Sequence, residues 1–209
     1  KRFPISIDIS GKKVLVVGGG NVAYRKVLTL LRYGARVSVV SPVICKALAN
    51  VRKAILHRRR YRKADIRGAC LIVGATDSRQ INQRVYRNAL AAGIPVNVVD
   101  CPEFCSFIFS AIVSRGDLTI AISTNGASPA LAGQIRKRIE NVIGPEYEAH
   151  VRLLRKMRPL VLRSVSDASA RSTLLKRLAE PRMRRVIARE GFTGALRMAH
   201  RLLAVSLRN

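Results

Sequence analysis

The chain has 209 residues, 48% of them hydrophobic, and its 39 Lys and Arg against 12 Asp and Glu give a formal net charge of +27. A chain of this length with plentiful, periodic apolar residues can bury a sizeable core, which excludes an intrinsically disordered protein. No apolar run reaches transmembrane length, so we expect no membrane association, and residues 3–8 are typical of a strand rather than of a secretory leader. Four cysteines are too few for a disulfide framework, so we expect a cytoplasmic protein.

The positive charge is carried mainly by arginine, with 29 Arg against 10 Lys. The guanidinium group binds carboxylates and phosphates well, so this charge indicates an anionic partner. Nucleic acid is disfavoured because the five Tyr and five Phe do not interleave with the basic runs, as stacking on bases would require. Basic residues concentrate at 52–67 and after residue 150. They form either a solvated face or a positive field around a cleft that binds a small polyanion.

Short apolar strands alternate with amphipathic helices over the first hundred residues. The pattern predicts strands at 13–17, 36–40, 54–57, 70–75 and 95–99, and helices at 21–33, 44–50 and 79–92. Gly34 is expected to end the helix at 21–33. Asp77 is expected to N-cap the helix at 79–92, and Gly93 to end it. This alternation predicts an α/β fold with a Rossmann-type doubly wound parallel sheet.

The pattern changes after Asp100. Residues 106–113 and 118–123 predict two antiparallel strands joined by a turn at 115–117, and Ser128 with Pro129 opens a helix that extends to about Val142. The remainder is predicted to be helical, with breaks near 164–169, Pro181 and 191–194. The predicted organisation is a Rossmann domain at 1–105, a small α+β dimerisation region at 106–145 and a helical C-terminal domain at 146–209.

Gly18-x-Gly20-x-x-Ala23 matches the dinucleotide-binding fingerprint. Gly18 allows a tight turn, Gly20 lets the backbone approach a pyrophosphate, and Ala23 lets the helix lie close to the strand. The helix N-terminus at Asn21 and Val22 would then face the phosphates. The alternative is a glycine turn that only packs a helix. Because this stretch lies inside a complete strand–helix–strand unit, it predicts dinucleotide binding.

The second strand ends in Ser41, Pro42 and Val43, without the acidic residue that usually binds the adenosine ribose. Ser41 can bond a ribose hydroxyl instead. Arg36, on the same strand, keeps NADP open as an alternative to NAD.

Asp100 ends an apolar strand at the edge of the sheet where such folds bind ligands, so it is a candidate general base. The alternative is a turn-forming aspartate before Pro102. Asn97 on the same strand is either a substrate contact or a core polar group whose hydrogen bonds are made within the protein.

The loop at 123–129 offers hydroxyls and free N–H groups to a carboxylate, or only caps the next helix. Its candidate substrate contacts are Ser123, Thr124, Asn125, Gly126 and Ser128.

No metal site is predicted. Cys101 and Cys105 have no His or second Cys pair with them, and His57, His150 and His200 are scattered as surface or packing residues.

Together these motifs resemble the precorrin-2 dehydrogenase family, the siroheme-synthase N-terminal module. The matching stretches begin with GKKVLVVGGG, which ends at Gly20, and their order and spacing extend over about residues 3–145. They are 11–26, 39–42, 75–77, 82–83, 97–100, 107–109, 116–118 and 121–131. Three positions depart from the family pattern: Val43, where an acid is frequent, Ser110, where proline is usual, and Asn125, where glycine is usual.

The resemblance implies oxidation of precorrin-2 to sirohydrochlorin with NAD, and insertion of Fe²⁺ to give siroheme as a further activity. It implies that Asp100 is the essential aspartate, that Thr124 is the loop hydroxyl, and that Thr76 and Asp77 contact the cofactor. It also implies a homodimer formed through residues after Asp100. Precorrin-2 is an octacarboxylate, which suits an arginine-rich cleft. The alternative interpretation is a non-enzymatic Rossmann-type protein that binds a dinucleotide or nucleic acid.

Overall fold

The structure, a computed structural model, describes residues 2–207. These residues form two compact units, one ending at Phe109 and the other beginning at Ser110. Phe107 and Phe109 pack against the core of the first unit, which therefore extends beyond residue 105. The predicted division of the rest of the chain at residue 145 stays a prediction.

The first unit contains a sheet of five parallel strands in the order β3-β2-β1-β4-β5. The strands are β1 (Lys13–Val17), β2 (Arg36–Val40), β3 (Ile55–His57), β4 (Ala69–Gly74) and β5 (Val96–Val98). The order reverses beside β1, so the carboxyl ends of β1 and β4 form the switch point at which such sheets bind ligands. The predicted Rossmann-type sheet is confirmed.

Helices cover both faces of this sheet: α1 (Asn21–Arg32), the short α2 (Lys46–Ala49) and α3 (Arg79–Ala91). Successive strand side chains point to opposite faces, so Val14 and Val16 of β1 share a core with α1, whereas Leu15 and Val17 share one with α3. Burial on both faces explains why these strands are continuously apolar.

Three local predictions for the first unit are wrong. Ser78, and not Asp77, is the N-cap of α3, because its Oγ accepts a hydrogen bond from the Ile81 N–H at 3.4 Å. Residues 3–8 form no strand and are exposed. The strand expected from residue 106 begins only at Ala111, because the N–H groups of Ser106 and Phe107 donate to the Val96 carbonyl of β5.

The second unit begins with the antiparallel strands β6 (Ala111–Arg115) and β7 (Leu118–Ile122). Four helices follow: α4 (Pro129–Val142), α5 (Glu146–Ser164), α6 (Ala168–Ala179) and α7 (Pro181–Ser206). Ser128 caps α4 as predicted, and α7 bends at Gly191, where φ is 70°.

His150 is a packing residue, since its Nε2 lies 2.8 Å from the Leu178 carbonyl. Within residues 2–207 no helix combines the length and apolarity that crossing a bilayer requires.

Candidate cofactor and active site

The glycine turn between β1 and α1 packs tightly on its neighbours. Gly18 has φ 126°, and a Cβ there would lie 2.1 Å from the Ala75 carbonyl oxygen at the end of β4. A Cβ on Gly19 would lie 2.0 Å from the Val43 carbonyl oxygen. Gly20 is exposed, and a Cβ built on it would have no neighbour within 4 Å. The first two glycines therefore let the turn approach the backbone, while the third leaves space open at the start of α1.

We expect Gly18→Ala to lower the free energy of unfolding by about 3 kcal/mol or more, because the methyl group must displace backbone atoms at a positive φ. Gly11→Ala is the matched control, since Gly11 also has a positive φ, of 67°, but open space around its Cβ. It should cost only about 1–2 kcal/mol. Urea unfolding of both variants checks this, and equal losses would contradict the close approach at Gly18.

A cleft of about 760 Å³ opens at the carboxyl ends of β1, β4 and β5. Its size suits a bound small molecule or cofactor. The predicted site residues that line it are Gly18, Gly20, Asn21, Val22, Ser41, Pro42, Val43, Thr76, Asp77 and Asp100. Ala23 is not among the lining residues, because it is fully buried where α1 packs on the sheet. That is the packing role expected of the third fingerprint position.

The end of β2 forms the wall of the cleft where the fingerprint would put the adenosine ribose. Ser41 is buried there and its Oγ donates to the Val43 carbonyl at 2.7 Å, so its oxygen can still accept a hydrogen bond from a ribose hydroxyl. Arg36 pairs with Lys13 at the amino end of its strand. It therefore lies at the opposite edge of the sheet, so its position gives no support to the alternative of NADP.

The loop after β4 is fixed by a buried amide that the sequence analysis did not select. The Thr76 hydroxyl donates to Asn82 Oδ1 at 2.8 Å, and Asn82 Nδ2 donates back to the Thr76 carbonyl at 2.8 Å. Asn82 and Arg79 both line the cleft. A sequence signal existed for each: Asn82 is a polar residue on the buried stripe of α3, and Arg79 places positive charge at a helix N-terminus, where the dipole disfavours it.

Asp100 follows β5 with φ 58°, a left-handed conformation that aspartate and asparagine tolerate better than most residues. Its side chain is exposed and lines the cleft that contains the glycine turn. Hydrogen bonds on either side hold it in place, from Val99 N–H to the Gly74 carbonyl at 2.8 Å and from Cys101 N–H to the Val98 carbonyl at 3.3 Å. Backbone strain of this kind is frequent at functional sites. The structure thus brings the candidate base and the fingerprint together.

Asn97 and Cys105 stabilise the segment that carries Asp100. The Asn97 side chain is buried, and its Nδ2 donates to the Phe107 carbonyl at 3.0 Å and to Cys105 Sγ at 3.4 Å. The Cys105 thiol has one proton to donate, to the Val98 carbonyl at 3.1 Å or to the Cys101 carbonyl at 3.2 Å, and burial raises its pKa. Asn97 therefore acts as a satisfied core polar group, while its role as a substrate contact stays a prediction.

The loop between β7 and α4 in the second unit is held by its own hydroxyls. Thr124 Oγ1 accepts from the Ser128 N–H at 3.0 Å, Ser123 Oγ accepts from the Asn125 N–H at 3.0 Å, and Ser128 Oγ caps α4. Asn125 and Gly126 both have positive φ. The capping function is thus present, and the proposed substrate contacts of this loop stay predictions.

The first turn of α1 fits a dinucleotide. Its N-cap is Gly20, which has no side chain to bond the free N–H groups, and the space beside it is open. Free N–H groups at a helix N-terminus bind phosphates, and the glycine backbone allows a pyrophosphate to come close. The fold and this turn define a Rossmann-type dinucleotide-binding protein.

Comparison with known proteins agrees with this class. Residues 5–111 match the model of a putative NAD(P)-binding family, and residues 115–141 match that of the sirohaem biosynthesis protein central domain. The predicted NAD cofactor is therefore confirmed. The siroheme synthase of Azotobacter vinelandii is 41% identical over 97% of this chain and 41% of its own length. That of Stutzerimonas stutzeri is 37% identical over 98% of this chain and 44% of its own length.

A solved structure titled "SirC, precorrin-2 dehydrogenase" superposes with a TM-score of 0.76 at 26% identity, covering 96% of this chain and 100% of that one. The chain belongs to the family that its motifs indicated, that of precorrin-2 dehydrogenases and the siroheme-synthase N-terminal module. It spans less than half the length of the siroheme synthases that it matches.

Proposed function

We propose that the chain is an NAD-dependent precorrin-2 dehydrogenase that forms sirohydrochlorin. The observation that carries the proposal is that one cleft contains both the dinucleotide turn and the carboxylate of Asp100. The likeness to a structure titled as a precorrin-2 dehydrogenase, which this chain covers completely, supports the same activity. The alternative of a non-enzymatic dinucleotide- or nucleic-acid-binding protein has no comparable support.

In this proposal the first turn of α1 holds the pyrophosphate through backbone N–H groups, and Ser41 accepts a hydrogen bond from the adenosine ribose. When bound, NAD supplies the acceptor for the hydride that leaves the substrate. Oxidation of the macrocycle also releases one proton, and Asp100 accepts it as general base. The Thr76–Asn82 pair keeps the loop opposite the glycine turn in place.

We also propose Fe²⁺ insertion into sirohydrochlorin as a second activity of the same cleft. The macrocycle provides the four nitrogen ligands, so the protein needs only a base to accept the pyrrole protons, and Asp100 is available. Residues 2–207 contain no group of three or more His, Cys, Asp or Glu that could hold a metal by itself. This arrangement suits iron as substrate rather than as a resident cofactor.

The proposed function is tested by mixing the protein with precorrin-2 and either NAD or NADP, and then adding Fe²⁺. We expect sirohydrochlorin and reduced cofactor to appear together in absorbance, faster with NAD, and siroheme to follow. We expect this preference because the residues that line the cleft directly after β2 are Ser41, Pro42 and Val43, none of which is a cation that could bind the 2′-phosphate of NADP. Absence of turnover, combined with a salt-sensitive gel shift on generic DNA, would contradict the proposal and favour the alternative.

We further propose that the protein is a cytoplasmic homodimer. The α4 helix packs against the β6–β7 sheet, and its Leu131 and Val142 are 48% and 73% exposed. A self-complementary apolar patch is buried by an isologous dimer. We expect a dimeric mass by light scattering at micromolar concentration, and a shift to monomer in Val142→Glu. A monomeric wild-type protein at ordinary salt would contradict this prediction.

A further inference from the structure

Lys26 on α1 has an unusual environment for a lysine. The side chain is half-buried, and its Nζ lies 3.9 Å from the centroid of the Phe109 ring. Burial lowers the pKa of Lys26, helped by Arg25, while Asp100 and Cys105 oppose the shift. Within residues 2–207, Lys26 takes part in none of the ion pairs found. A partly desolvated ammonium group is therefore held beside an aromatic ring with no bound carboxylate.

The position of Lys26 on α1 directs it toward the cleft. Val22 lines the cleft, and Lys26 is four residues later, on the same face of the helix. Side chains in a helix tilt toward its N-terminus, so the long lysine chain extends toward the carboxyl edge of the sheet. Asp100 lies at that edge, and its negative charge raises the pKa of Lys26 against the effect of burial.

A lysine that served only to pack its methylene groups would place its ammonium group in water. Here the Phe109 ring, itself packed against Phe107 and the core, holds the ammonium group by a cation–π contact. The charged groups that face it are Arg25 on its own helix and Asp100 on the segment after β5, and the titratable Cys105 thiol lies on that same segment. Asp100 cannot be both the proton acceptor and a permanent partner of Lys26 without losing basicity, so the cation is available to an incoming anion.

We propose that Lys26 binds a carboxylate of the tetrapyrrole substrate next to Asp100, and so positions the ring edge that loses its proton. This inference rests on the proposed function, because it assigns one contact of the polycarboxylate substrate in that cleft. Phe109 contributes by fixing the ammonium group before the substrate arrives, which reduces the entropy lost on binding.

The kinetic test compares Lys26→Met, which keeps the chain length and removes the charge, with Lys26→Arg and with Lys12→Met. Lys12 is an exposed lysine at the amino edge of the sheet, before β1. A charge-assisted hydrogen bond is worth about 1.5–3 kcal/mol, so Lys26→Met should raise KM for precorrin-2 by about 10–100-fold. We expect kcat within about threefold of wild type, unchanged NAD affinity, and partial recovery in Lys26→Arg. Lys12→Met should match wild type.

A binding measurement tests the same contact without turnover. An octacarboxylate porphyrin, which is already oxidised, is titrated into each variant and followed by its absorbance. Lys26→Met should weaken its binding by about tenfold, and the porphyrin should protect Lys26 of the wild type from acetylation by acetic anhydride. NAD alone should give no such protection.

The outcomes separate the two proposals. If the wild-type protein turns over precorrin-2 but Lys26→Met leaves both KM and porphyrin affinity unchanged, the Lys26 contact is overturned and the dehydrogenase stands. A loss confined to kcat would mean that Lys26 acts only through Asp100 and does not bind the substrate, and it would also overturn the contact. If the wild-type protein shows no turnover with NAD, the proposed function fails, whatever the porphyrin titration gives.

Discussion

Replacing Gly20 with aspartate is expected to abolish NAD binding while the protein still folds. A side chain at Gly20 meets no neighbour within 4 Å, and aspartate is among the preferred N-cap residues, so the variant should be as stable as the wild type or slightly more so. The same carboxylate bonds the N–H groups that would hold the pyrophosphate and places a like charge beside it. Like charges in contact cost several kcal/mol, so affinity should fall by about 100-fold or more.

Gly20→Asn is the matched control for this variant. Asparagine has almost the same shape as aspartate and is an equally good N-cap, but it adds no charge. We expect calorimetry to show a smaller loss of NAD affinity in Gly20→Asn than in Gly20→Asp, with melting temperatures of both near that of wild type. Wild-type affinity in Gly20→Asp would remove the glycine turn from the cofactor site. A lowered melting temperature in both variants would attribute the loss to misfolding instead.

The parts of the fold that the sequence predicts well are those set by local pattern. Strands β1 and β2 are continuous apolar runs bounded by turn residues, and α1 carries its buried residues Ala23, Val27 and Leu30 at helical spacing. The glycine fingerprint is equally local, because the turn, the strand and the helix that it joins are adjacent in sequence. From these features the sequence analysis expected the glycine turn at the carboxyl edge of the sheet, where the structure has the cleft.

The features that the sequence analysis missed depend on contacts between distant residues. The strand expected at 106–113 starts late because β5 uses the N–H groups of Ser106 and Phe107, which no local pattern reveals. The pairing of Asn82 with Thr76 and the contact of Lys26 with Phe109 likewise join separate segments. Arg36 is the converse case: it is close to the cofactor turn in sequence, but the parallel register places it at the other end of its strand.

The last prediction concerns Asp100→Asn, which we expect to lower the dehydrogenase rate by about 10²–10⁴-fold, or about 3–5 kcal/mol in the barrier. Asparagine has nearly the size of aspartate and tolerates the positive φ of 58° equally well, so the turn should keep its shape. It cannot accept a proton at the pH of the assay. NAD affinity should be unchanged, because the pyrophosphate is expected at the first turn of α1 and not at this strand end.

Glu103→Gln is the control, since it neutralises a carboxylate three residues along the same segment. Glu103 is exposed and only 3.5 Å from the Arg79 guanidinium, an ion pair worth little on a surface. We expect its rate within about threefold of wild type. Rate, NAD affinity and melting temperature are measured on both variants. If Asp100 only formed the turn, Asp100→Asn would behave like Glu103→Gln in all three measurements. A rate of Asp100→Asn within threefold of wild type would therefore reject the role of Asp100 as general base. Iron insertion, measured on the same samples, should fall in parallel, because collecting the pyrrole protons needs a carboxylate at the same position.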